Sequence, residues 1–167
     1  MPTNATRIEP VTLDHVDALL AGDDVFTDRF GMPVAPGYLD FPEALGRTRD
    51  ELVNGMPSEW YSHLIVDADT NTVVGFGGYK GPPVAGEVEI GYSVAPSRQR
   101  RGHATAAAQL LIDRARAEGV TLVCAYTLPG PNASTRVLSR CGLTMTEVVE
   151  DADEGSVWRW ELALAAP

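Results

Sequence analysis

Apolar residues along this chain recur with two rhythms, one suited to helices and one to strands, and their order describes a layered fold. A short strand is expected over residues 5–8, and in residues 13–21 Leu13, Val16, Leu19 and Leu20 recur at helical spacing. Residues 23–57 mix short helical patterns with glycine and proline and carry the weakest signal. A helix is still expected over residues 41–54, where Ala44, Leu45, Leu52 and Val53 share a face and Asn54-Gly55 closes it. β-rich runs at 61–66 and 72–79 flank Asp67-Ala68-Asp69-Thr70-Asn71, which is hairpin-turn chemistry. A loop holding Gly81, Pro82, Pro83 and Gly86 leads to a strand over residues 87–94, where Glu87 and Glu89 alternate with Val88 and Ile90.

The second half is clearer. A long helix is expected from Gly102 to just before Gly119, with Ala104, Ala108, Leu111 and Ala115 as its small-residue packing face. Residues 120–127 read as a buried strand, broken by Pro129-Gly130-Pro131. Asn132 caps a helix running to Cys141, with Gly142 as its natural stop. Residues 143–149 and 156–162 form a closing hairpin across the acidic turn 150–155. The order β, α, α, β, β, β, α, β, α, β, β predicts an α/β (α+β) fold in one domain spanning residues 1–167, a mixed central sheet of about seven strands with helices on both faces.

Charge narrows the partners. The formal net charge is −10, which disfavours nonspecific contact with nucleic-acid phosphates and mildly favours a cationic partner such as an amine. The opening residues lack a signal-peptide pattern and no stretch is long and apolar enough to span a membrane, so a cytoplasmic protein with no membrane partner is expected. The two cysteines, Cys124 and Cys141, read as core packing rather than as nucleophiles.

The informative segment is Val94-Ala95-Pro96-Ser97-Arg98-Gln99-Arg100-Arg101-Gly102-His103-Ala104, where a strand ends, a basic loop follows and a small-residue helix begins. Helix N-termini present unpaired N–H groups and the positive end of a dipole. Gly102 permits close approach, Ala104 keeps the first turn free of bulk, and Arg98, Arg100 and Arg101 can add charge-assisted contacts. The residues alone point to a pyrophosphate cradle, against the plainer reading of an exposed basic loop before an ordinary helix.

Gln99-Arg100-Arg101-Gly102-His103-Ala104 resembles the Q/R-x-x-G-x-G/A acyl-CoA motif of the GNAT superfamily. Residues 89–96 look like that family's fourth strand, 132–143 are similar to its N-x-x-S…G-F helix, and 157–161 to its last strand. The likeness covers about residues 61–162 and is closest to the branch containing ribosomal-protein N-terminal acetyltransferases of the RimJ and RimL kind. It implies an N-acetyltransferase that uses acetyl-CoA and no metal, and passes the acetyl group to an amine in a ternary complex.

Roles follow the resemblance by position. Backbone amides from Gln99 through Arg100, Arg101, Gly102, His103, Ala104 and Thr105 would hold the CoA pyrophosphate. The strand end at Ser93, Val94 and Ala95 would pair with the pantetheine arm where the fourth and fifth strands splay apart, an amide near Val94 polarising the thioester carbonyl. Asn132 would contact a pantetheine amide or else serve only as a helix cap. Glu89, then Glu87, is expected as general base. Many relatives carry a tyrosine acid where this chain has Leu138, which leaves Ser134 as the best substitute, also placed near the cofactor, with Tyr126 behind it. Without a dedicated acid, a non-catalytic acyl-CoA-binding module of the same fold is the alternative, and a partner domain that binds no CoA is a third.

Other features read as structural. Gly75-Phe76-Gly77-Gly78 lacks the third glycine of a dinucleotide loop, and Asp67, Asp69 and Asn71 lack the glycine and distal glutamate of a calcium loop. His15, His63 and His103 show no metal spacing, with His103 expected as a solvent-facing first-turn residue. Trp158 and Trp160 are expected in the core or at a dimer surface, the protein being a monomer or homodimer. The acceptor wall is expected from residues 23–57, including the acids Asp23, Asp24, Asp28 and Asp40, and from the final hairpin.

Overall fold

The computed structural model describes residues 5–39 and 42–165. Seven strands form one mixed sheet in the order β1-β2-β3-β4-β5-β7-β6. The strands are β1 (Thr6–Pro10), β2 (Ser62–Asp67), β3 (Thr72–Tyr79), β4 (Glu87–Val94), β5 (Leu122–Thr127), β6 (Thr144–Asp151) and β7 (Gly155–Ala163). All neighbours are antiparallel except β4 and β5, which run parallel. The helices are α1 (Leu13–Ala21), α2 (Asp23–Phe30), α3 (Glu43–Val53), α4 (His103–Ala117) and α5 (Ala133–Arg140).

Both faces of the sheet are covered, as the alternation predicts. On one face α1, α2 and α3 bury Val16, Leu19, Phe26 and Leu45 against Leu64, Val66, Val73 and Phe76. On the other, α4 and α5 bury Leu111, Ile112 and Leu138 against Val88, Ile90, Val123 and Trp160. Trp160 is therefore core, its indole N–H donating to Thr127 Oγ1 at 3.0 Å, while Trp158 is half-buried. Both cysteines are free and buried.

Several boundaries move. A separate helix, α2, occupies part of the weak segment, held by buried Phe26 and half-buried Phe30 one turn on, while Asp23, Asp24, Asp28 and Arg29 stay outward. A single i, i+4 aromatic pair among four charges is too short an apolar stripe to read. The Phe41 start of the third helix and Asp40 lie outside the described residues. On α4 the buried face is His103, Ala107, Ala108, Leu111, Ile112 and Ala115, with Ala104 rotated to its edge. The glycines of β3 are a matter of close approach: a Cβ on Gly75 would collide with the backbone carbonyl of Ser93 on β4.

His63 on β2 is buried beneath the C-terminal half of α4. Its Nδ1 lies 3.1 Å from the Tyr61 carbonyl and its Nε2 3.2 Å from Arg114 Nη1, whose guanidinium sits 5.4 Å from the Trp60 ring centroid. Only the neutral ring with its proton on Nδ1 satisfies both neighbours, so burial, with the Arg114 charge reinforcing it, pushes the pKa down from 6.5 to about 4. The unfolded chain then takes up a proton that the folded one refuses, and stability falls as pH drops from 6.5 toward 4. Across that interval His63 should account for about 3 kcal/mol of the loss. Urea midpoints at pH 7 and pH 4.5 should therefore differ less for His63→Gln than for the parent chain.

Candidate active site

The loop between β4 and α4 opens a cavity of about 440 Å³ between the N-terminal end of α4 and one side of α5. Gly102 caps α4 in the left-handed region at φ 85°, and no side chain caps the helix. The first intrahelical bond runs from the Ala106 N–H to the Gly102 carbonyl, so the amides of His103, Ala104 and Thr105 have no helical acceptor. All three residues line the cavity. Arg98 and Arg100 reach its wall from the loop, and Arg136 and Arg140 from α5. Four guanidinium groups and no acid line this one cavity, in a chain of net charge −10. Dipole and charge both suit this cavity to an anion.

Beside it the sheet comes apart. The parallel ladder between β4 and β5 has three rungs and ends at Glu89 opposite Cys124. Beyond that rung β4 stays on β3, with Val94 opposite Gly75. The Ala95 N–H bonds to the Val74 carbonyl on β3 at 2.8 Å. Successive amides of an extended strand point to opposite edges, so those of Val94 and Tyr92 face the open fork. Ser93 and Ala95 do not share this role. The Ser93 main chain faces β3, and its hydroxyl donates to the Tyr38 carbonyl at 3.0 Å.

The two candidate glutamates differ in surroundings. Glu87 accepts from Arg159 at 3.2 Å, and the Cys124 thiol lies 3.7 Å from its other oxygen. Glu89 is half-buried at the last rung, and among the described residues no side chain hydrogen-bonds its carboxylate. Burial raises its pKa, while Lys80 and Arg159 pull it down and Glu87 pushes it up. A carboxylate so placed is a better proton acceptor than an ordinary surface glutamate.

A sequence profile described as "Acetyltransferase (GNAT) domain" matches residues 6–144. The chain belongs to the GNAT acetyltransferase family. It is 28% identical over 150 residues to the uncharacterized N-acetyltransferase YjdG of Bacillus subtilis (strain 168), covering 87% of this chain and 89% of that protein. Its fold is similar to RimL, a ribosomal L7/L12 α-N-protein acetyltransferase solved with coenzyme A, at a TM-score of 0.71 and 18% identity over 99% of this chain and 98% of that one. RimJ of Mycobacterium smegmatis, solved with CoA-disulfide, gives a TM-score of 0.68 at 20% identity over 97% and 83% of the two chains. A ribosomal-protein-serine acetyltransferase from Vibrio cholerae, itself described as putative, gives 0.68 at 15% over 97% and 95%.

In this GNAT chain several expected residues have other work. His103 does not face solvent. Its ring is buried, Nδ1 lies 2.9 Å from Thr6 Oγ1 and Nε2 3.7 Å from Asp67 Oδ2, so only its main chain can meet a ligand. Arg101 is exposed and absent from the cavity wall, while the Gln99 side chain ties the loop to the Val94 carbonyl at 3.0 Å. Asn132 is the cap of α5: its Oδ1 accepts from Thr135 N at 2.9 Å and its Nδ2 donates to the Leu128 carbonyl at 3.1 Å. Both ends of the amide are taken, which favours the cap over the pantetheine contact.

The serine position of N-x-x-S holds Thr135, buried and closing the capping box. Ser134 is half-buried beside Tyr92 on β4, whose hydroxyl burial keeps protonated. Leu138 is core, 1% exposed. Tyr126 is exposed and its hydroxyl accepts from Arg159 at 2.7 Å, away from α5.

Sequence reasoning missed Arg136, Arg140, Tyr92 and Arg159. The first two were legible, because four residues apart on a capped helix share a face. Arg159 reads as an ordinary strand residue until β4, β5, β6 and β7 gather Glu87, Tyr126, Glu147 and Glu161 around it. Gly102→Glu places a side chain and a negative charge at the mouth of the cavity. It should weaken acetyl-CoA binding at least tenfold by calorimetry, about 1.4 kcal/mol.

Proposed function

We propose that this acetyltransferase moves the acetyl group of acetyl-CoA directly to a primary amine, a protein N-terminus or a small-molecule amine, in a ternary complex. The observation that carries the reading is the junction of an arginine-walled cavity with a sheet fork whose last rung is Glu89. In this reading the diphosphate rests on the amides of His103, Ala104 and Thr105, and the pantetheine arm runs along the free edge of β4. A gap-facing amide, that of Tyr92 or Val94, receives the thioester carbonyl. Fixed N–H donors of this kind stabilise an oxyanion because they need no reorganisation as charge develops.

The amine attacks only when neutral. Glu89 takes its proton, directly or through water, and its raised pKa matches that task. The new N–C bond forms as the C–S bond breaks, and the thiolate needs a proton or a hydrogen bond. Ser134, backed by the protonated Tyr92 hydroxyl, stands in the place of the missing tyrosine. The α4 amides and guanidinium groups only hold the ligand, so base and anchor can be separated by mutation.

Burial of Leu138, where relatives carry an acid, favours a second reading in which the domain binds acyl-CoA without turnover. Purified protein, acetyl-CoA and a thiol-detecting dye separate the two. Amine-dependent CoA release across a panel of amines supports transfer, whereas tight binding without release supports the module.

Two outcomes follow from the roles. Glu89→Gln should lower kcat by about 10²–10⁴ with acetyl-CoA affinity unchanged, while Glu87→Gln should cost far less. An unchanged rate in Glu89→Gln removes Glu89 as the base. With Glu89 ionised only above its raised pKa, kcat/KM should fall on acidification at a higher pH than an ordinary glutamate would dictate. Ser134→Ala should lower kcat more than KM, read from initial rates of CoA release.

A further inference from the structure

Of the 13 basic side chains in the sequence, Lys80 is the sole lysine. It follows β3 directly, and its N–H donates to the Glu89 carbonyl at 3.0 Å. Tyr79 pairs with Ile90, so Lys80 stands opposite Glu89 and shares its face of the sheet, the face covered further along by α1, α2 and α3. Its side chain then runs over Gly91. A methyl group placed on Gly91 would lie 3.6 Å from both Lys80 Cε and Nζ. The amine thus packs over Gly91, at van der Waals distance from where a side chain would begin and one residue from the gap-facing amide of Tyr92. Lys80 is exposed and its ammonium acts electrostatically on Glu89 without forming a close ion pair. The chain's one side-chain primary amine therefore lies on the same sheet face as the proposed base, over β4 next to the rung where the fork begins.

We infer that Lys80 is an internal acetyl acceptor, modified by the chain's own active site when no other amine occupies it. The inference rests on the acetyl-transfer reading above. In the step, Glu89 takes a proton from the Lys80 ammonium and the neutral Nζ attacks the acetyl carbonyl carbon. An N–C bond forms and the C–S bond breaks, the second Nζ proton passes to the departing sulfur so that coenzyme A leaves as the thiol, and Glu89 releases the first proton to water. The product is Nε-acetyl-Lys80. The positive charge opposite Glu89 is lost and an acetamide fills the space over Gly91, so the modified chain handicaps transfer to free amines.

The test uses purified full-length protein incubated with acetyl-CoA carrying a deuterated acetyl group, with no added amine, followed by peptide mass mapping. The labelled acetyl should accumulate on the Lys80 peptide with a first-order rate per molecule that does not change over a tenfold range of protein concentration. Glu89→Gln, confirmed folded by an unchanged thermal shift with acetyl-CoA, should slow it at least tenfold, and Lys80→Arg should carry no label there. Label absent from Lys80, or equally fast in the heat-unfolded chain, or scaling with protein concentration, overturns the inference. CoA release in the presence of free amines is read in parallel. Release with an unlabelled Lys80 overturns the inference alone, and no release with any amine overturns the transfer reading as well.

Discussion

Three main-chain amides that α4 leaves without helical acceptors set the position of everything else in this site. They exist because Gly102 turns into the left-handed region and because no side chain caps the helix. Side chains cap α1 at Thr12 and α5 at Asn132, each in a reciprocal capping box, while α2, α3 and α4 carry no side-chain cap. Of these three, α4 is the one whose first turn lines the cavity on which four arginines gather. An uncapped terminus costs stability unless something answers it, and a diphosphate answers it by both hydrogen bonding and charge.

The second constraint is the change of strand direction. A parallel β4–β5 pair needs the long α4 crossover, while the antiparallel β5–β7 pair pulls β5 away from β4 after three rungs. The fork is thus a product of topology, and it leaves the gap-facing amides of β4 unpaired in the sheet. The same rung that ends the ladder carries Glu89, with Lys80 across on the β3 side and Cys124 on β5. Charge on this face is mixed. Arg159 binds up Glu87 and Glu161, which sets Glu89 apart as the carboxylate without a guanidinium partner.

Most of the architecture was legible because periodicity and turn residues agree. The hairpin around Asn71, the cap at Asn132 and the long helix after Gly102 each combine an apolar rhythm with a stop signal. The weak segment failed where the physics is weak: α2 is held by buried Phe26 and half-buried Phe30 alone, and one such pair makes too short a stripe. The cavity at the start of α4 was legible from Gly102, Arg98 and Arg100, since these are neighbours in sequence, although Arg101 falls outside it. Long-range facts were not. The burial of His103 against Thr6 and Asp67, and the binding of Glu87 by Arg159, are side-chain contacts between residues up to 97 and 72 positions apart, respectively. The choice between Glu87 and Glu89, left open by sequence, turns on the second of these.

The cradle is the claim on which the cofactor, the fork and the base all depend. Hydrogen–deuterium exchange with and without coenzyme A reads those main-chain amides directly. Protection concentrated at residues 99–105, with slower exchange at the Tyr92 and Val94 amides, is the expected result. Unchanged exchange across 99–105 at saturating coenzyme A, with protection appearing elsewhere in the chain, would contradict it.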